Sequence, residues 1–251
     1  MVHRVRHLIV FAAGLAVAAA SGLPLTPIPV SAQAGRAAAP ANAGLPPIID
    51  RELFFGDPEI AGAQISPDGQ YIAFLKPFKG TRNVWVKGTG EPFDKAKAIT
   101  AETKRPISAY FWSRDAKFIL YAQDQGGDEN FNVYAVRPSD APAAGSDVPA
   151  ARNITDAKAV QAQIYAVPKS DPDLIYVGLN DRDKAWHDLY KIRISTGERT
   201  LLRKNTERIV GWEFDLSDRL RLATRVNENG DTEVMRVDDN AFTKIYSCNV
   251  F

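Results

Sequence analysis

From residue 60 onward the chain returns four times to the same order of short apolar runs and polar turns. A long-period repeat of this kind restricts a chain to folds that stack copies of one small unit. In the first unit, residues 60–65 lead into Ser66-Pro67-Asp68-Gly69, then Tyr71-Ile72-Ala73-Phe74-Leu75, Asn83-Val84-Trp85-Val86 and Ala98-Ile99-Thr100. The second runs from residues 107–112 through Ser113-Arg114-Asp115-Ala116 and Phe118-Ile119-Leu120-Tyr121 to Asn132-Val133-Tyr134-Ala135-Val136 and Asn153-Ile154-Thr155. The third keeps the order around Ser170-Asp171-Pro172-Asp173, and the fourth around Ser217-Asp218-Arg219. The turn serines at 66, 113, 170 and 217 stand 47, 57 and 47 residues apart.

Four short strands in a unit of roughly 40–50 residues is the period of a β-propeller blade. The expected fold is therefore all-β, a propeller with about four four-stranded blades at 60–100, 104–155, 159–205 and 208–248. Strand alternation agrees, with Leu189, Lys191 and Arg193 on one face and Tyr190, Ile192 and Ile194 on the other. Seventeen glycines and 16 prolines against two methionines suit a turn-rich chain and argue against a helical bundle.

Residues 1–34 read as a secretory signal. His3, Arg4, Arg6 and His7 precede an apolar run over 8–20, and Ala32-Gln33-Ala34 forms an A-x-A cleavage site. The run falls short of the roughly 20 apolar residues that a membrane span needs. The mature chain is expected to begin near Gly35, in the periplasm or outside the cell, with a flexible lead-in over 35–47. Removing the signal takes away two arginines and no acid, moving the formal charge from +1 to −1. A near-neutral chain has no electrostatic claim on nucleic acid. The longest basic cluster, Arg203 and Lys204 with Arg208, is interrupted by Glu207 and reads as a solvated turn.

No catalytic residue is marked. A G-x-S-x-G elbow is absent, and His187 is the single histidine beyond the signal, with no motif-marked serine or cysteine partner. One histidine and one cysteine, Cys248, cannot supply a zinc site. The segment ending Asn227-Glu228-Asn229-Gly230 places Arg225 where a calcium loop needs a carboxylate. No phosphate-binding loop occurs, so neither metal nor cofactor is expected. The candidate contact residues are Asp128, Glu129 and Asn130, following Gly127 at the hairpin before the third strand of unit two. Their carboxylates could face the central channel or a neighbouring domain; equally, they could be the elements of a Gly-Asp turn.

Several of these stretches together resemble the exported bacterial members of the prolyl oligopeptidase family of serine peptidases. They are Leu53-Phe54-Phe55-Gly56-Asp57-Pro58, Ile65-Ser66-Pro67-Asp68-Gly69 with Tyr71-Ile72-Ala73-Phe74, Gly127-Asp128-Glu129-Asn130 before Val133-Tyr134, and the closing pairs Ile99-Thr100 and Ile154-Thr155. The resemblance covers the chain from about Ile48 and implies an N-terminal propeller that gates access of short peptides to an α/β-hydrolase domain following it. No triad residue of that family has a counterpart here. Ser-Pro-Asp-Gly is shared with TolB-like propellers, so a stand-alone periplasmic interaction module is the alternative. A further, weaker reading makes His187 the base of an enzyme at the propeller mouth. A four-blade ring should pair its last strand with the first unit, whereas an incomplete propeller should leave residues 242–246 exposed.

Overall fold

The computed structural model describes residues 47–56, 58–239 and 241–249. The expected signal, 1–34, and the lead-in, 35–47, lie outside the described residues except for Pro47. In the leading unit, which ends at Phe54, the Asp50 carboxylate accepts from the Glu52 amide at 3.0 Å and caps the single helical turn α1 (Glu52–Phe55).

The remaining described residues form four antiparallel sheets, each laid out in chain order. Blade 1 holds β1 (Ala61–Ile65), β2 (Tyr71–Phe78), β3 (Thr81–Gly88) and β4 (Lys97–Ala98). Blade 2 holds β5 (Tyr110–Trp112), β6 (Ile119–Gln123), β7 (Asn132–Val136) and β8 (Ala151–Asn153). Blade 3 holds β9 (Ala162–Ala166), β10 (Leu174–Asp183), β11 (Trp186–Arg193) and β12 (Arg199–Arg203). Blade 4 holds β13 (Ile209–Phe214), β14 (Leu220–Val226), β15 (Thr232–Val237) and β16 (Phe242–Cys248). The four-bladed, all-β reading of the repeat is correct.

Each core lies between successive blades, because a twisted sheet with two apolar faces must bury both. Leu75, Val84 and Val86 meet Ile107, Trp112 and Ile119; Leu120 and Val133 meet Ile175, Val177 and Ile192; Leu189 meets Ile209, Trp212 and Met235. Alternation along β11 decides this sorting, with Leu189 packing toward blade 4 while Ile192 and Ile194 pack toward blade 2. Polar stitches join the same neighbours. The Tyr110 hydroxyl donates to the Gly62 carbonyl at 2.6 Å, and Gln64 donates to the Tyr110 carbonyl at 2.8 Å.

The turn between the first two strands is built alike in blades 1 and 2. Ser66 Oγ donates to Asp68 at 2.6 Å and Ser113 Oγ to Asp115 at 2.7 Å. Each serine hydroxyl also accepts an amide from the start of the next run, Tyr71 or Phe118. The fourth residue of each turn adopts positive φ, at Gly69 and Ala116. In blade 4 the matching turn starts at Asp215, not at Ser217. Asp218 donates its amide to the Asp215 carbonyl and takes the positive-φ place, while Asp215 accepts the Ser217 and Arg219 amides. Released from its own turn, the Asp218 carboxylate accepts the Lys169 and Ser170 amides of blade 3, at 2.8 and 2.6 Å.

A second recurring device sits at the head of the third strand. Asn83, Asn132, Asp188 and Glu233 are all buried there. Asn83 Oδ1 accepts from Thr100 Oγ1 and the Glu102 amide, and Asn132 Oδ1 from Thr155 Oγ1 and the Ala157 amide. Asp188 accepts the Asn205 amide at 2.7 Å and both arms of Arg182. In blades 1–3 the head of the third strand is thus tied to the connection leading into the next blade. Glu233 instead accepts from Arg225 and Lys244 of its own sheet.

The pairing required of a four-blade ring is not found among the described residues. β16 pairs with β15 alone, and Ile245 and Tyr246 are 54% and 61% exposed.

Candidate functional site: the β6–β7 hairpin

Antiparallel order places the β6–β7 hairpin at the end of blade 2 where the connections between blades also run. Residues 124–131 form it, with Gly126 and Gly127 at φ 73° and 92° and Glu129 at φ 59°. Glycine at the first two positions removes the Cβ conflict that such φ values carry. Asp128 closes the loop: its Oδ1 accepts the Gln125 and Asn130 amides, each at 3.1 Å, and its Oδ2 accepts Asn130 Nδ2 at 3.1 Å. The bond from the Asn130 side chain, followed by its backbone amide, holds the Asp128 carboxyl below the usual aspartate range. The expected residues Asp128, Glu129 and Asn130 are therefore adjacent, and two of the three are spent on the turn.

Glu129 differs. Its amide points at Asp124 Oδ2, 3.5 Å away, and its carbonyl accepts from Gln161 of blade 3 at 3.4 Å, while its exposed carboxylate has no bonded partner among the described residues. Beneath it, the buried Asp124 carboxylate accepts from Arg105 at 3.1 Å, and Gln123 donates to the Arg105 carbonyl. The hairpin thus rests on an aspartate–arginine pair and presents one unsatisfied acid. Such a surface can receive a cation or a donor group; it holds no nucleophile.

His187 opens no alternative. It stands near the start of β11, its Nε2 buried without a partner among the described residues, and burial lowers its pKa. No serine or cysteine among the described residues bonds to it. Gly178 lies against it, and a Cβ there would come within 2.9 Å of His187 Cβ and 2.6 Å of the Tyr165 ring, so glycine is required by close approach. Among the described residues no three His, Cys, Asp or Glu side chains gather to hold a metal ion, and no helix is long and apolar enough to cross a membrane.

Over 208 residues the chain is 39% identical to dipeptidyl aminopeptidase BIII of Pseudoxanthomonas mexicana, covering 83% of this chain and 29% of that protein. Its propeller blades are thus similar to part of a dipeptidyl peptidase. A second relative, dipeptidyl peptidase family member 6 of Caenorhabditis elegans, is 30% identical over 194 residues, 77% of this chain and 26% of that one. The chain therefore spans less than a third of the curated relatives it matches. No family model matches it. Among solved structures, a prolyl endopeptidase superposes at TM-score 0.51 with 12% identity, covering 75% of this chain and 28% of that one. Prolyl oligopeptidase B from Galerina marginata superposes at 0.52 with 11% identity, covering 74% and 27%. These likenesses speak for the fold.

Proposed function

We propose that this chain is the propeller segment of an exported serine peptidase that hydrolyses peptide bonds in short peptides. Its blades restrict access to a catalytic α/β-hydrolase domain carried C-terminal to them, and on their own they are inactive. The observation that carries this reading is the 39% identity to a dipeptidyl aminopeptidase, spread over 83% of this chain yet confined to 29% of that enzyme. The basic, then apolar, then Ala32-Gln33-Ala34 leader supports export. The absence of a histidine–nucleophile pair among the described residues is in keeping with chemistry performed elsewhere in the protein.

The test is to read the coding frame past Phe251 and weigh the mature protein from the same cells. A frame that continues into a G-x-S-x-G elbow, with a mature start near Gly35, supports the peptidase. The whole protein should then release dipeptides from short chromogenic peptides and leave folded casein-sized substrates intact. A stop codon with a mass matching residues 35–251 sinks the reading and leaves an interaction module, for which the exposed Glu129 carboxylate is the first surface to probe.

A further inference from the structure

Where the outer strands of blades 3 and 4 splay apart, β12 and β16 bound a wedge-shaped cleft of about 550 Å³, within the size range of small-ligand sites. A second cleft, between blades 2 and 3, is about 240 Å³. There Arg152 crosses to donate to the Ile194 carbonyl at 2.7 Å, and Arg137 lies 4.6 Å over the Phe118 ring. Both clefts lie between neighbouring blades, and the one between blades 3 and 4 is more than twice the size of the other.

The charges in the open wedge can be accounted for one at a time. Arg225 is committed to Glu233 at 2.6 Å and Glu207 at 3.1 Å, and Lys244 to Glu233 at 3.2 Å. Asp238 is taken by Arg236 and by Thr243. Three groups stay uncommitted. The Arg203 guanidinium donates only to carbonyls, those of Leu202 and Asp239, each at 3.1 Å. With five N–H donors, it is held in place with spare donors to offer. Lys204 forms no ion pair among the described residues; its charge is felt by Asp188 only at longer range. The Asp239 carboxylate likewise has no ion pair among them. The floor is apolar, made by the buried Met235 and the half-buried Phe242.

We propose that this wedge binds small zwitterions bearing an apolar side chain, namely free dipeptides and amino acids. The ligand carboxylate meets Arg203 and Lys204, its ammonium meets Asp239, and its side chain lies over Met235 and Phe242. Arginine suits this task because its planar fork matches a carboxylate through two parallel bonds. The inference stands on the cleft and its uncommitted charges and does not depend on the peptidase reading.

The experiment is calorimetric titration of the mature protein at low salt with Ala-Phe, its C-terminal amide, its N-acetyl form and inorganic phosphate. Ala-Phe is expected to bind saturably. The amide should bind about tenfold more weakly, a loss of roughly 1.4 kcal/mol, and the acetylated form should also bind more weakly. Arg203→Ala and Lys204→Glu should each weaken Ala-Phe by a similar factor. Lys204 is exposed, so the second variant keeps the fold even if the first disturbs the Asp239 turn. No saturable binding at millimolar dipeptide, equal affinity for phosphate, or unchanged affinity in Lys204→Glu would each overturn the proposal.

Discussion

The face of blade 1 that points away from blade 2 and the face of blade 4 that points away from blade 3 are built on opposite plans. On blade 1, Phe74 is fully buried beneath Phe93, whose ring centroid lies 5.2 Å away on the 3-10 turn Phe93–Lys95. Lys87 covers Phe93 at 5.6 Å and is itself anchored to the Gly88 and Glu91 carbonyls. Trp85, the cross-strand partner of Phe74, is flanked by Phe78 at 5.7 Å and by Lys76 at 5.8 Å. On blade 4 the row facing away from blade 3 is Thr224, Val234 and Tyr246, and among the described residues no aromatic pair covers it. An aromatic layer pinned by lysines, whose long stems cover rings while their ammonium groups stay hydrated or bonded, can thus stand in for a neighbouring blade.

The sharpest way to break this comparison is to delete the layer. Phe74→Ala should cost about 3–5 kcal/mol in urea unfolding, the usual range for truncating a buried phenylalanine. Val234→Ala on the blade 4 face should cost less than about 1.5 kcal/mol; equal losses would mean that blade 1 has no special cover.

The next largest effect concerns the strand-head device. Asn83→Ala strands Thr100 and the Glu102 amide and should cost about 2–3 kcal/mol by the same measurement, with the buried donors left unpaired. Its blade 4 counterpart adds a dependence that the neutral Asn83 cannot have. Bonds from Arg225, then Lys244, lower the Glu233 pKa in the folded chain. Its contribution is therefore full above the ordinary glutamate value and is lost as pH falls through the lower folded value. Comparing the stability of the native chain with that of Glu233→Gln across that acid window should show a shallower fall in the variant; parallel curves would remove Glu233 from the account.

The smallest effect is on β16. Ile245→Lys, at an exposed position of an outer strand, should change stability by no more than about 0.5 kcal/mol. Sedimentation should show it less self-associated than the native chain if the open edge and face drive association.

The blades were legible because their signals are local: turn residues, alternation and the punctuation between runs all lie within a few positions of one another. The Asp128 turn could be read for the same reason, since its acceptors serve amides at Gln125 and Asn130. Contacts between blades left no such trace. Ser217-Asp218 looks in sequence like a copy of Ser66-Pro67-Asp68, yet the hydrogen bonds start the turn at Asp215 and send Asp218 to a loop 48 residues away. Arg203 and Lys204 read as a solvated turn because a cleft formed by the splay of two sheets is invisible along one strand. The exposure of Glu129 depends likewise on the Asp124–Arg105 pair, whose members stand 19 residues apart.

The strand-head locks also give the fold a direction in time. Asn83 finds its partners only when Thr100 and Glu102 have been made, Asn132 waits for Thr155 and Ala157, and Asp188 waits for Asn205. A chain delivered from its amino end therefore presents the third strand of each of the first three blades with an open bond that only the close of that blade and the connection after it can satisfy.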